Sequence, residues 1–147
     1  MEKITFWDTK DKEYLKNMFV GPEGYAHPSR IFVINDIPAH QSLLDLGCGS
    51  AATLEAIYQF NKEIRYSGVD FTEKFIEISE IAYPNNAFYK FDIAKTPFPN
   101  NSFDNVLVRH VLEHNKEYYK IIEEAVRIAR NKVYLVLFRY DEKGPDI

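Results

Sequence analysis

Three aspartates of this sequence stand where a carboxylate can hold the polar groups of a small molecule. Asp45 lies two residues before a glycine turn, and we expect it in the turn itself, where its charge would repel a pyrophosphate but suit an ammonium or sulfonium group. Asp70 ends a predicted strand about 20 residues further on, where an acid can accept both hydroxyls of a ribose. Asp92 ends the next strand, where an acid can accept a hydrogen bond from an adenine amino group. Each acid alone also fits a turn or a helix cap, but the three in this order indicate one ligand site.

The segment Gly47-Cys48-Gly49 follows a predicted strand and opens a predicted helix. Glycine lets the backbone turn sharply and lets a ligand come close, and a helix N-terminus offers N–H groups. The spacing Gly47-x-Gly49-x-x-Ala52 also matches a permissive dinucleotide fingerprint, so a nicotinamide-dependent oxidoreductase remains an alternative, which Asp45 disfavours. Cys48 near a helix N-terminus invites comparison with nucleophilic thiols, but no histidine is adjacent to it in sequence, so packing is favoured.

His110-Val111-Leu112-Glu113-His114 has the H-x-x-E-H spacing of one group of zinc proteases. On a helix the two imidazoles would share a face and Glu113 could act as a base, with Glu123 or Glu124 offered as a third ligand. The motif follows a strand of a predicted parallel sheet, which argues against zinc, and the sequence predicts no metal site. Two other interpretations stay open: polar residues at a helix start, or a substrate-side role for His110 or His114.

The elements that must position these residues alternate between strands and helices. Such alternation predicts βαβ units and a parallel sheet, and nearly continuous apolar strands predict helices on both faces of it. The predicted strands are 43–46, 64–70, 87–91, 103–108 and 132–138. The predicted helices are 11–18, 29–37, 51–60, 72–81 and 116–130.

Together these motifs resemble the class I S-adenosylmethionine-dependent methyltransferases, in the branch that includes ubiquinone- and sterol-type enzymes. The resemblance covers residues 40–140. It is carried by Leu43-Leu44-Asp45-Leu46-Gly47-Cys48-Gly49-Ser50, Gly68-Val69-Asp70-Phe71-Thr72, Asp92-Ile93, Pro97-Phe98-Pro99-Asn100-Asn101-Ser102-Phe103-Asp104, and Val108-Arg109-His110-Val111-Leu112-Glu113-His114. It implies a Rossmann-like open sheet of about five parallel strands in the order 3-2-1-4-5, with S-adenosylmethionine as cofactor.

The resemblance also implies a role for each matching position around the cofactor. Asp45 would contact the amino group of the cofactor, and Gly47, Cys48 and Gly49 would lie beneath its methionine part. Asp70 would bind the ribose hydroxyls. Phe71 would pack against the adenine, and Asp92 and Ile93 would hold the adenine edge. His110 would lie near the reactive methyl group and is the candidate catalytic base. The implied activity is methyl transfer to a small-molecule acceptor; the alternative is a non-catalytic cofactor-binding or scaffold domain within an oligomer.

The chain departs from the family pattern at two places. Ala51 stands where the family often has a third glycine, a change from which we expect little effect. The sequence also ends soon after strand 132–138, without the usual C-terminal helix and antiparallel hairpin. That strand would be an exposed apolar edge, so we expect the N-terminal segment or a partner chain, such as a second copy, to cover it, unless the chain is a fragment.

The predicted organisation is an N-terminal helical segment or lid (1–40), a cofactor-binding domain (41–140) and a frayed tail (141–147). Several aromatic residues of the first segment could line a substrate pocket or pack against the sheet. They are Phe6, Trp7, Tyr14, Phe19 and Tyr25.

Size and composition are those of one globular domain. The chain has 147 residues, 46% of them hydrophobic and 27% charged. Eighteen basic against 22 acidic residues give a net charge of -4 without a basic stripe, which disfavours nucleic acid as a partner. No apolar run reaches the roughly 18 residues of a membrane helix, and the N-terminus lacks a secretion signal. A single cysteine excludes an internal disulfide, so we expect a cytoplasmic protein.

Overall fold

Five strands form one parallel sheet in the computed structural model, which describes residues 6–17, 22–137, 140–141 and 144–145. The strands are β1 (Ser42–Leu46), β2 (Arg65–Asp70), β3 (Ala87–Lys90), β4 (Phe103–Arg109) and β5 (Ala129–Val136). Their order is β3-β2-β1-β4-β5, and every neighbouring pair is parallel. The predicted Rossmann-like sheet and its strand order are confirmed.

Helices cover both faces of this sheet. They are α1 (Lys12–Asn17), α2 (Pro22–Tyr25), α3 (Pro28–Asp36), α4 (Ala52–Gln59), α5 (Glu73–Ala82) and α6 (Tyr118–Ile128). The helix predicted over 116–130 is too long at both ends. At its C-terminal end Ala129 already has extended backbone angles and begins β5, so α6 passes into the strand without a loop.

The core consists of two apolar layers, one on each face of the sheet. Successive residues of a strand point to opposite faces, so a strand that is covered on both sides must be apolar at every position. The first layer joins strand residues to α3, α4 and α5 and includes Val33, Ile34, Leu43, Leu54, Ile57, Tyr66, Ile76, Phe88, Leu107 and Tyr134. The second joins them to α6 and includes Leu44, Leu46, Val69, Val106, Val108, Ile121, Ala125 and Ile128.

The loop between β3 and β4 is held against the second layer by aromatic rings and by one ion pair. Phe98 packs edge-on against Phe103, with ring centroids 5.1 Å apart. The Glu124 carboxylate accepts from the Thr96 amide (2.5 Å) and hydroxyl (2.8 Å) and pairs with Arg127 at 2.6 Å. Glu124 is therefore a loop anchor, which removes it as the proposed third zinc ligand.

The N-terminal segment packs along α5. Trp7 lies against Phe75 with ring centroids 5.7 Å apart, the Lys74 ammonium donates to two backbone carbonyls of the segment, and Leu15 is fully buried. Tyr25 packs beside the first apolar layer. The contacts of Trp7 and Tyr25 therefore favour the packing interpretation for these two residues. Phe6 and Tyr14 are exposed, and Phe19 lies outside the described residues.

β5 lies at one end of the sheet, and α3 reaches its face. The Asp36 carboxylate accepts from the Tyr134 hydroxyl (2.7 Å) and the Lys132 ammonium (2.9 Å). Leu135 and Leu137 are exposed. Cover of this edge by a partner chain stays a prediction. Beyond it, β6 (Tyr140–Asp141) and β7 (Gly144–Pro145) form a short antiparallel pair apart from the main sheet. The frayed tail over 141–147 stays a prediction.

Two residues of α3 test the first apolar layer. Ile34 is 1% exposed and Phe32 is 67% exposed on the same helix. We expect Ile34→Ala to lower the free energy of unfolding by about 3 kcal/mol, because it removes buried methyl groups and leaves a cavity. Phe32→Ala should change it by less than about 0.5 kcal/mol. Urea denaturation measures both, and equal losses would contradict this packing.

Candidate functional site

The glycine turn after β1 is bonded to the end of β2. The Val69 carbonyl accepts from the amides of both Gly47 (2.7 Å) and Cys48 (2.9 Å), and Asp70 Oδ2 accepts from the Gly49 amide (3.0 Å). These three amides are therefore satisfied within the protein. The turn offers a ligand its surface and a close approach, rather than free N–H groups.

Both glycines of the turn have positive φ angles, +86° at Gly47 and +53° at Gly49. Their surroundings differ. A Cβ at Gly47 would lie 2.5 Å from Val111 Cγ2, whereas a Cβ at Gly49 would meet no described atom within 4 Å. Gly47 is thus required by packing, and Gly49 faces the open side of the turn. Ala51, where the family often has glycine, also has a positive φ of 66°.

Cys48 is a packing residue. Its side chain is buried against Gly68 of β2, where an added Cβ would come within 2.9 Å of the sulfur. Burial, reinforced by the charges of Asp70 and Asp45, raises the pKa of the thiol well above its usual range. The thiol therefore stays protonated at neutral pH, which excludes the nucleophile interpretation.

Asp45 does not lie in the turn, as the sequence led us to expect, but within β1. It is 3% exposed, and its Oδ2 accepts from the Tyr66 hydroxyl at 2.7 Å. Burial raises the pKa of Asp45 to about 6, and the Tyr66 hydrogen bond and the charges of Arg30 and Arg109 offset part of the rise. A buried carboxylate of this kind gains strongly from a cationic partner.

Asp70 is the last residue of β2, and Asp92 lies two residues past the end of β3. Asp70 accepts from the Gly49 amide and from the Thr72 amide (2.9 Å), and burial raises its pKa while these amides partly offset the rise. Asp92 is exposed and accepts from the Ala94 amide at 2.9 Å, so it also stabilises its own turn. Ile93 packs beside the second apolar layer.

His110 lies directly after β4 in a left-handed conformation, with φ of +54°. Its amide donates to the Val136 carbonyl at 2.8 Å, and a short 3₁₀ turn (Leu112–His114) follows. His110 and His114 therefore do not share a helix face, which corrects the geometry assumed for zinc. Within the described ranges, no group of three or more His, Cys, Asp or Glu side chains could hold a metal ion.

The environment of His110 keeps its imidazole neutral. Burial first, and then the nearby charges of Arg109, His27, Arg30 and His114, together lower the pKa of His110 to about 4. The buried Glu113 carboxylate lies 3.8 Å from His110 Nδ1. At neutral pH the ring can accept a hydrogen bond, but neighbouring positive charges make it a weak base.

Two arginines beside the turn were missed by the sequence analysis. Arg30 of α3 is 6% exposed; its Nε donates to Thr53 Oγ1 at 2.9 Å and its guanidinium to the Gly24 carbonyl. Arg109 ends β4, and its Nε donates to Ser29 Oγ at 3.3 Å. Arg30 carries no signal in the sequence, because its partner Thr53 lies 23 positions further along the chain. Arg109 had one usable signal, its position at a strand end directly before His110.

Comparison with known proteins identifies this arrangement. Residues 44–137 match a family model described as a methyltransferase domain. The chain belongs to the class I S-adenosylmethionine-dependent methyltransferase family. It is 26% identical over 106 residues to ajmaline N-methyltransferase from Rauvolfia serpentina, a match that covers 68% of this chain and 36% of that protein. It is 31% identical over 96 residues to cycloartenol-C-24-methyltransferase from Arabidopsis thaliana, covering 61% and 28%.

Among solved structures, this methyltransferase-family chain resembles a SAM-dependent methyltransferase from Aquifex aeolicus. The TM-score is 0.74 at 17% identity, covering 92% of this chain and 78% of that one. The chain spans between about a quarter and under a half of the length of the curated relatives it matches. No helix in the described ranges is long and apolar enough to cross a membrane.

The two glycines of the turn should respond differently to alanine. Gly47→Ala places a methyl group against Val111 and strains a left-handed residue, so we expect it to cost about 2 kcal/mol or more of unfolding free energy. Gly49→Ala adds only the backbone strain, about 1 kcal/mol. Thermal and urea denaturation compare the two, and a larger loss at Gly49 would contradict the packing at Val111.

The raised pKa of Asp45 predicts how the free energy of unfolding depends on pH. A carboxyl that holds its proton more tightly in the folded protein favours folding at low pH, and this advantage is lost as pH rises from about 4 through about 6. Asp45→Asn keeps an acceptor for Tyr66 and removes the titration. Relative to the variant, the wild type should lose about 2 kcal/mol of unfolding free energy between about pH 4 and about pH 8.

Asp36→Asn is the matched control for that measurement. Hydrogen bonds from Tyr134 and Lys132 lower the pKa of Asp36, so the stability that its charge contributes is lost only as pH falls below about 4. Between about pH 4 and about pH 8 the difference between the wild type and Asp36→Asn should therefore stay nearly constant, while the difference between the wild type and Asp45→Asn changes. Parallel changes in the two differences over this range would contradict the burial of an ionisable Asp45.

Proposed function

We propose that this chain binds S-adenosylmethionine over the glycine turn and transfers its methyl group to a small-molecule acceptor. The observation that carries the proposal is the turn itself. It is closed onto the end of β2, it leaves Gly49 open, and the buried Asp45 and the amide-bonded Asp70 stand on either side of it. The three amides of the turn already donate to protein oxygens, so the geometry of the turn is explained without a bound phosphate.

The methionine part of the cofactor would lie beside Asp45. Above about pH 6 this carboxyl is ionised, and an ammonium group would replace the hydration that burial removes. The small residues Gly47 and Gly49, with the Cys48 backbone between them, would allow the methionine chain to lie close to the protein. Cofactor binding through Asp45 should therefore weaken below about pH 6.

Asp70 would bind the ribose hydroxyls. Each of its oxygens accepts one backbone amide, and an ionised carboxylate has further lone pairs for two hydroxyl donors. Phe71, next in the chain, would pack against the adenine. Asp92 is exposed and would accept from the adenine amino group, with the Ile93 backbone beside it.

The cofactor supplies a methyl group already activated by its sulfonium charge, so this chain's residues mainly orient the acceptor and exclude water. His110 would lie on the acceptor side of the methyl group. Its neutral imidazole would accept a hydrogen bond from an acceptor hydroxyl or amine, and its low pKa suits it to positioning more than to holding a full proton. The relatives named for ajmaline and cycloartenol support a small molecule as the acceptor class.

Cofactor binding is tested by calorimetric titration with S-adenosylmethionine and its demethylated product. We expect Asp70→Ala to weaken binding by about tenfold or more, since it removes charged hydrogen bonds to the ribose. Asp104→Ala is the matched control, because Asp104 also accepts a backbone amide, from Ser42 at 2.9 Å, but at the opposite end of the sheet. It should leave the affinity unchanged within about threefold.

Equal effects of the two variants would contradict a ribose contact at Asp70. Methyl transfer is then measured as release of the demethylated cofactor with a panel of small amines, phenols and carboxylic acids. Cofactor binding without transfer to any acceptor would favour the alternative, a non-catalytic cofactor-binding or scaffold domain. No binding to the wild type would overturn the proposed function.

A further inference from the structure

Arg109 lies beside the proposed cofactor site, at the carboxyl end of β4. In the sheet register Asp45 pairs with Leu107, and Leu46 pairs with Val108. Arg109 is two residues beyond Leu107, so it shares the face of Asp45 and lies one position past the end of β1, level with Gly47. It also directly precedes His110 in the chain.

The hydrogen bonds of the two arginines differ. Arg30 is nearly fully buried and is bonded to a threonine hydroxyl and a backbone carbonyl, so it fixes α2 and α3 to the start of α4. Arg109 is partly exposed. In the part of the chain that the structure describes, its side chain makes one hydrogen bond, from Nε to Ser29 Oγ, and no ion pair. Among the described residues, the donors at the end of its guanidinium therefore have no hydrogen-bond partner, which leaves them available to a ligand.

The charges around Arg109 favour an anion. Burial and the charge of Arg30 lower its pKa to about 10, and Asp45 only partly offsets them. The Asp45 carboxylate is already bonded to Tyr66. S-adenosylmethionine carries one negative group, a carboxylate, and two positive groups, an ammonium and a sulfonium. Its binding would therefore add net positive charge and would not neutralise the guanidiniums of Arg30 and Arg109.

We propose that Arg109 binds a carboxylate of the methyl acceptor, which makes the acceptor class small carboxylic acids with the methylated atom near the carboxylate. The inference rests on the proposed cofactor site. A guanidinium offers a carboxylate two parallel N–H donors, which fixes the orientation of the acceptor as well as its charge. The adjacent His110 would then face the part of the acceptor that receives the methyl group.

The test uses benzoate as the probe and benzamide as its neutral counterpart, each titrated calorimetrically into the protein saturated with the demethylated cofactor. Benzoate should bind the wild type at least about tenfold more tightly than benzamide, and Arg109→Gln should remove this difference. Arg109→Lys, which keeps the charge but not the paired donors, should retain part of it. Arg130→Gln is the control and should behave as the wild type, because Arg130 lies in β5 and pairs with Asp104 at the opposite end of β4 from Arg109.

Affinity for the demethylated cofactor is measured first on every variant. It should stay within about threefold in Arg109→Gln. A large loss of cofactor affinity with unchanged benzoate binding would overturn the inference and assign Arg109 to the cofactor's own carboxylate. Equal binding of benzoate and benzamide to the wild type would also overturn it. Failure of the wild type to bind the cofactor is a different result, since it removes the proposed function itself.

Discussion

The site depends on the hydrogen bonds that close the glycine turn onto the end of β2. One carbonyl, that of Val69, accepts two amides of the turn, and the Asp70 side chain accepts the third. The close approach is possible because Gly68 has no side chain where Cys48 and Phe88 pack. The turn is therefore held by the protein before any ligand arrives, and a ligand need not supply the energy of ordering it.

This closure explains how the surrounding parts are placed. The ends of β1, β2 and β4 lie at one edge of the sheet because the strands are parallel, and the turn after β1 fills the space between them. Val111 then packs on Gly47, which sets the path of the chain after β4 and so the position of His110. A change at this edge of the sheet would thus move the candidate binding residues and the candidate catalytic residue together.

Much of the fold could be predicted from the sequence, because the strands are apolar runs separated by turn residues and the motifs follow each strand end. The site was less predictable. The position of Asp45 just before the glycines indicates a turn residue, yet Asp45 is buried in β1. A strand that is covered on both faces is apolar without alternation, so its sequence pattern does not show where a polar residue will lie. His110 and His114 read as a helical pair, but a left-handed residue at position 110 breaks that geometry. Arg30 and Arg109 lie 79 positions apart, so only the fold brings them together.

These arginines connect the two titrations of the site. Their positive charges oppose protonation of both Asp45 and His110. They offset part of the rise that burial causes in the pKa of Asp45, which is about 6, and they help to lower the pKa of His110 to about 4. Above about pH 6 both effects act in the same direction: the carboxylate is ionised and the imidazole is neutral. In the proposed reaction the cofactor would arrive with a sulfonium charge and leave as a neutral thioether, which would change the charge beside Asp45 and His110. The two guanidiniums do not titrate near neutral pH, so their charges would favour an ionised Asp45 and a neutral His110 in both states of the cofactor.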